Sequence, residues 1–188
     1  MRKILNRFSV FELLIIAMIA ALGIAVKPVI SPLVRIITGP VGIPGGVLAG
    51  GIYMMFLVLA YGMTRRRLSG TLTATVQAFI VVLTGIGSQG IISFMTYICP
   101  GIAVDLIMLI FDRHAKERPK VPACFCAGIA ANVTGSLLVG MALFDIPLVP
   151  LLLALATAAL SGGLGGLLAC SLLKQIYKLE LLVNSNEN

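Results

Sequence analysis

One acid inside an apolar run, a handful of hydroxyls and amides, and a single histidine are the residues of this chain that could do chemistry. His114 sits in the most polar stretch, Asp112–Lys120, where a solvated loop residue is expected rather than a ligand or base. There is no H-E-x-x-H, no paired carboxylate motif and no G-x-x-x-x-G-K-[ST] loop, so neither a metalloprotease site nor a nucleotide cradle is spelled out. Cys99, Cys124, Cys126 and Cys170 fall in or at the edge of apolar runs without C-x-x-C spacing, which predicts buried free thiols. No catalytic residue, metal ligand or cofactor is therefore expected, and the protein is not read as an enzyme.

The acid is Asp105, seven residues before Asp112 and hence about 10 Å from the end of its helix at 1.5 Å per residue. Intramembrane acids are costly and are usually paired or functional. Asp105 has two readings: a structural partner of Gln77 or of the Arg65–Arg67 cluster, or an acid with a ligand or transport role.

The uncharged polar residues gather elsewhere. Gln89, Ser93 and Tyr97 recur at four-residue spacing and share one face if their helix starts before Gln89; they are the expected orienting contacts for a small ligand. Asn132 and Thr157, each in the middle of an apolar run, complete the candidate binding set. The competing reading is that such groups bond their own helix carbonyls or join neighbouring helices. Tyr53, Tyr61 and Tyr97 are the tyrosines available to stack on a ring, there being no Trp. Lys27, Arg35 and Asp145 are candidates for gating contacts or ordinary loop residues.

The elements that must hold these groups follow from composition. Apolar residues make up 59% of 188 and charged ones 11%, with a mean hydropathy of +1.08, which excludes a water-soluble domain. A spanning helix takes about 20 residues. The apolar runs predict an all-α, polytopic membrane protein, a single domain over residues 1–188 with six spans: Val10–Val26, Gly46–Met63, Ser69–Thr84, Ile91–Phe111, Pro122–Leu143 and Leu148–Leu173. The first is read as a retained helix, although its basic flank and Gly23-x-Ala25 also suit a signal peptide. Pro28, Pro32, Pro40 and Pro44 predict a loop from Lys27 to Gly45 that folds back onto the bundle.

With the N-terminus in the cytoplasm, twelve of the 14 Lys and Arg residues fall on that side, leaving only Lys27 and Arg35 outside. That bias predicts both termini in the cytoplasm of a multi-pass cell-membrane protein. It also explains the formal charge of +7 without nucleic acid, for which no basic and aromatic surface is present.

Small residues recur every four positions. Ala17, Ala21 and Ala25 form a stripe on the first span, Gly46 and Gly50 on the second, and Ala154, Ala158, Gly162 and Gly166 on the sixth. Such stripes let helix backbones approach closely.

The basic N-terminus followed by the helix Phe11–Ala25, with its A-x-x-x-A pattern, resembles the first helix of the substrate-binding S components of energy-coupling factor (ECF) transporters. The likeness in length and topology covers essentially the whole chain; the motif covers the first helix. The resemblance implies that Ala17 and Ala21, continued by Ala25, dock onto a transmembrane T component coupled to two ATPases. It implies capture of a small vitamin or vitamin precursor from the outer side, with the loop between the first two helices closing over it. Thr38–Gly42 and Gly87–Ser93 are most similar to S components assigned to thiamine or hydroxymethylpyrimidine. Cobalt and nickel S components carry an N-terminal histidine ligand where this chain has Arg2 and Lys3. Two other readings remain open on residues alone: an autonomous carrier or small channel using Asp105, and an assembly subunit with no ligand.

Overall fold

The computed structural model describes residues 8–39, 45–85, 92–111, 119–143 and 147–186. Their regular structure is helical throughout, with no strand among the described residues. Seven helices are described: α1 Val10–Ala25, α2 Lys27–Thr38, α3 Gly45–Thr64, α4 Ser69–Thr84, α5 Ile92–Phe111, α6 Val121–Leu143 and α7 Leu148–Asn186. Five stretches, Val10–Ile36 among them, are long and apolar enough to cross a membrane, and α4 is a shorter apolar helix. The chain is a polytopic helical membrane protein.

Ser9 starts α1 through a capping box. Its hydroxyl accepts from the Glu12 amide at 3.2 Å, and its own amide donates to the Glu12 carboxylate at 2.7 Å. The other Glu12 oxygen pairs with Arg66 at 2.8 Å, fixing α1 to the turn after α3.

The loop expected from Lys27 is instead α2, at least as far as Thr38. Val26 keeps right-handed helical angles, and the Ile30 amide reaches the Val26 carbonyl at 3.1 Å, so the chain nearly continues α1. The prolines permit this because of where they fall. Pro28 lies in the first turn, where a missing N–H removes no helix bond. Pro32 lies one turn later, and the bond it deletes is the one to the Pro28 carbonyl at the helix start.

Helix α3 is the hub, contacting every other described helix. Glycine lets it do so: a Cβ on Gly51 would collide with the Ser161 carbonyl of α7, and one on Gly165 with the Gly51 carbonyl. Between α6 and α7, Gly128, Gly162 and Gly166 bring the backbones together in the same way. Leu57, Val58, Tyr61, Val104 and Met108 fill the core beside these contacts.

Helix α4 begins after a turn in which Arg65 and Leu68 have positive φ, 49° and 72°. Leu68 offers no side-chain cap. Asp105 of α5 supplies one: its carboxylate accepts from the amides of Gly70 at 3.1 Å and Thr71 at 2.7 Å, and from the Thr71 hydroxyl at 2.6 Å. The acid thus satisfies first-turn donors of a neighbouring helix and complements its dipole. Gln77 and the arginine cluster, the partners suggested by sequence, are not its partners among the described contacts.

At the same end of the bundle α7 runs on past Leu173 to Asn186. Tyr177 anchors it, its hydroxyl donating to the Gly62 carbonyl and its ring lying 4.5 Å from the Arg65 guanidinium. Cys124 and Cys170 are buried and Cys99 and Cys126 half-buried, all as free thiols.

Candidate functional site

At the opposite end from the Arg65–Arg67 turn, the bundle opens into a cavity of about 570 Å³. Five helices line it. Helix α2 contributes Lys27, Ser31 and Arg35; α3 contributes Val47, Gly50, Tyr53 and Met54; α5 contributes Ser93, Thr96 and Tyr97. Asn132, Ser136 and Val139 of α6 and Leu151 and Ala154 of α7 form the remainder of the wall. A mostly apolar wall with a few converging polar groups is the usual form of a small-molecule site.

The three α2 residues recur every four positions and so project from one face of that helix. The other face carries Val29, Leu33 and Ile36, all exposed. The Lys27 ammonium donates to the Tyr97 hydroxyl and lies 4.1 Å from the Tyr97 ring centroid and 4.9 Å from that of Tyr53. The ring quadrupoles of both tyrosines stabilise a cation so placed. Arg35 supplies the second positive charge of the wall. No acid, histidine or cysteine lines the cavity among the described residues.

Ser93, Tyr97 and Asn132 of the expected binding set therefore meet in one cavity. Thr157 does not join them; its hydroxyl donates to the Leu153 carbonyl of its own helix at 2.9 Å. Gln89 and Asp145 lie outside the described residues. Asn132 also fastens the wall, its amide nitrogen donating to the carbonyls of Val47 at 3.1 Å and Ala158 at 2.9 Å and so joining α3, α6 and α7. Of the tyrosines, Tyr53 and Tyr97 line the cavity, whereas Tyr61 is in the core. Ser31 was not expected, and the signal that would have found it is the 27/31/35 spacing, hidden by the prolines that suggested a loop.

Ala17, Ala21 and Ala25 are exposed on the outside of α1. The buried face of that helix is formed by Ile16, Ile19, Ala20, Gly23 and Ile24. The alanines thus border neither the cavity nor the bundle core.

No curated protein matches the chain. Among solved structures, it is similar to one described as an S-component of ECF transporter, with a TM-score of 0.76 over 93% of this chain and 88% of that one. Sequence identity is 21%, so this likeness establishes the fold. The family model described as "ABC-type cobalt transport system, permease component" matches residues 11–134, from α1 into α6, and the chain belongs to that family.

Proposed function

We propose that the protein is the membrane-embedded substrate-binding subunit of an ATP-driven, ECF-type importer. It captures a small, vitamin-sized organic molecule from the outer side of the cell membrane and relies on a T component and two ATPases for energy. The observation that carries this reading is the cavity itself: five helices converge on a wall of tyrosine, hydroxyl and amide groups at one end of the bundle. Ser93, Tyr97 and Asn132, with Tyr53 and Lys27 beside them, contact the ligand, and Arg35 stands at the gate. Helix α2 takes the part that the sequence assigned to a closing loop. The exposed alanine face of α1 is the docking ridge for the T component, since small residues permit close backbone approach in lipid.

The family description speaks of cobalt. The cavity's side chains do not suit a divalent cation as cargo. Its walls present two cationic side chains, and the described residues contain no group of three His, Cys, Asp or Glu that could ligate one. An autonomous carrier would need a free coupling acid, whereas both Asp105 oxygens are taken up in capping α4.

Reconstitution tests the proposal. Sealed vesicles containing this chain alone are expected to accumulate none of a mixture of radiolabelled vitamins, and vesicles that also contain the T component and ATPases are expected to accumulate one of them with ATP. Ala17→Trp should abolish that uptake while leaving ligand binding by the isolated subunit intact. Concentrative uptake by the chain alone would overturn the reading.

A further inference from the structure

We propose that the acyl chains of the membrane leaflet on the cavity side seat α2, so that the hydrocarbon thickness of the bilayer sets how firmly this wall of the cavity is held. The effect holds with or without a ligand and does not depend on the receptor reading above.

Helix α2 has two faces. Lys27 and Ser31 line the cavity, whereas Val29, Leu33 and Ile36 are 65%, 59% and 74% exposed among the described residues. Large apolar side chains aligned in this way are costly in water and at rest among acyl chains. Their line does not begin on α2. Leu14, Met18 and Leu22 of α1 are exposed as well, and steps of three, four and seven residues carry one line from them to Ile36. Such steps keep one side of a helix outward. Val26 keeps helical angles between the two helices, so α2 prolongs the outer ridge of α1. On α1 that ridge lies in the membrane, and its continuity gives α2 the same occupant.

The ridge is longer than the bilayer it crosses. Val10–Ile36 is 27 residues, a rise of about 40 Å at 1.5 Å per residue, against about 30 Å of hydrocarbon. Helices α3 and α5, with 20 residues each, match that thickness. The start of α1 is held to the turn after α3 by the Glu12–Arg66 pair, so the excess of about 10 Å falls on α2. A helix too long for its hydrocarbon tilts, bends or draws thicker lipid around itself. Helix α2 is the piece able to respond, because it packs on α3 and α1 and is tied to α5 through the Lys27 ammonium, which donates to the Tyr97 hydroxyl. Thin bilayers leave Leu33 and Ile36 short of lipid and loosen α2. Thick ones cover them and hold it in place.

The test uses the full chain without ligand, reconstituted in dimyristoleoyl, dioleoyl or dierucoyl phosphatidylcholine, in order of rising thickness. Amide hydrogen exchange is followed by mass spectrometry. Peptides from α2 should exchange about 10-fold faster in the thinnest bilayer than in the thickest, while the buried stretch Phe56–Tyr61 of α3 should change by less than about twofold. Leu33→Ser/Ile36→Ser alters only exposed side chains and should leave α2 exchanging fast at every thickness. Ser31→Ala, on the cavity face, should keep the dependence of the parent. Contact is read separately on the parent protein, with a phosphatidylcholine that carries a diazirine on its acyl chain. Val29, Leu33 and Ile36 should be labelled as Met18 and Leu22 are, which decides the contact even if the double variant does not fold. Label on Met18 and Leu22 but none on α2 would overturn the lipid seat. Equal α2 exchange in all three lipids, or a double variant that keeps the parent's dependence, would overturn the role of thickness. Neither result bears on whether the cavity takes a ligand.

Discussion

Helices α1 and α7 carry the same sequence signal, small residues at four-residue spacing, and put it to opposite use. On α7, Ala154 and Ala158 are 4% and 0% exposed and Gly162 and Gly166 are buried. Their neighbours are backbone: a Cβ on Gly162 would strike the Gly128 carbonyl, and one on Gly166 the Cys124 carbonyl. On α1, Ala17, Ala21 and Ala25 are exposed, and the helix turns Ile16, Ala20 and Ile24 inward instead. In lipid nothing drives an apolar face out of its solvent, so packing alone decides which stripe is covered. A stripe of small residues therefore states that a backbone can be approached, and the fold states whether this chain does the approaching. The α7 stripe is used within the protein; the α1 stripe is exposed on the outside of the bundle.

The strongest test of that difference is a bulky residue in each stripe. Gly162→Leu would force the α6 and α7 backbones apart and should destabilise the protein by about 3 kcal/mol or more, or prevent folding altogether. Ala21→Leu adds similar volume at a position exposed among the described residues, and should leave unfolding in lipid–detergent mixtures within about 0.5 kcal/mol of the parent. Equal losses in the two variants would show that the α1 stripe is an internal contact after all.

A smaller effect is expected at an interface fastened by charge rather than by small residues. Asp105→Asn removes the negative charge and half the acceptor capacity facing the first turn of α4. Unfolding should become easier by about 1–3 kcal/mol, with ligand retention unchanged. A proton-coupled carrier would instead lose transport with its stability intact, so the two measurements together separate a capping acid from a coupling acid.

How far these features were legible in the sequence depends on where the partner atoms are. The helices show as apolar runs because lipid demands them, and the cavity's Ser93, Tyr97 and Asn132 could be picked out because a polar group in such a run needs a reason. Helix α2 was hidden because proline usually ends a helix, and only its register shows that Pro28 and Pro32 fall where little is lost. Asp105 could be singled out but not paired. Its partners are backbone amides of a helix that starts after a left-handed Leu68, and backbone donors leave no mark in the spelling of a chain. Exposure of the alanine stripe was equally illegible, since i, i+4 spacing defines a face without saying which way it turns.

The finest distinction lies within one turn of α7, between Thr157 and Ser161. Both are hydroxyls in the same apolar helix, four residues apart and so on one face. Ser161 reaches across to α3, donating to the Leu48 carbonyl at 2.5 Å and accepting from the Gly51 amide at 3.1 Å. Thr157 turns back on its own helix, to the Leu153 carbonyl. That carbonyl already serves as the acceptor of an i to i+4 helix bond, so its second bond adds little. Thr157→Val should therefore alter stability by less than about 0.5 kcal/mol and leave ligand retention as it was. Ser161→Ala loses a bridge between helices and should destabilise by about 1–2 kcal/mol. A marked loss of ligand in Thr157→Val would mean that the hydroxyl leaves Leu153 when the cavity is filled, and would extend the binding wall one turn further along α7.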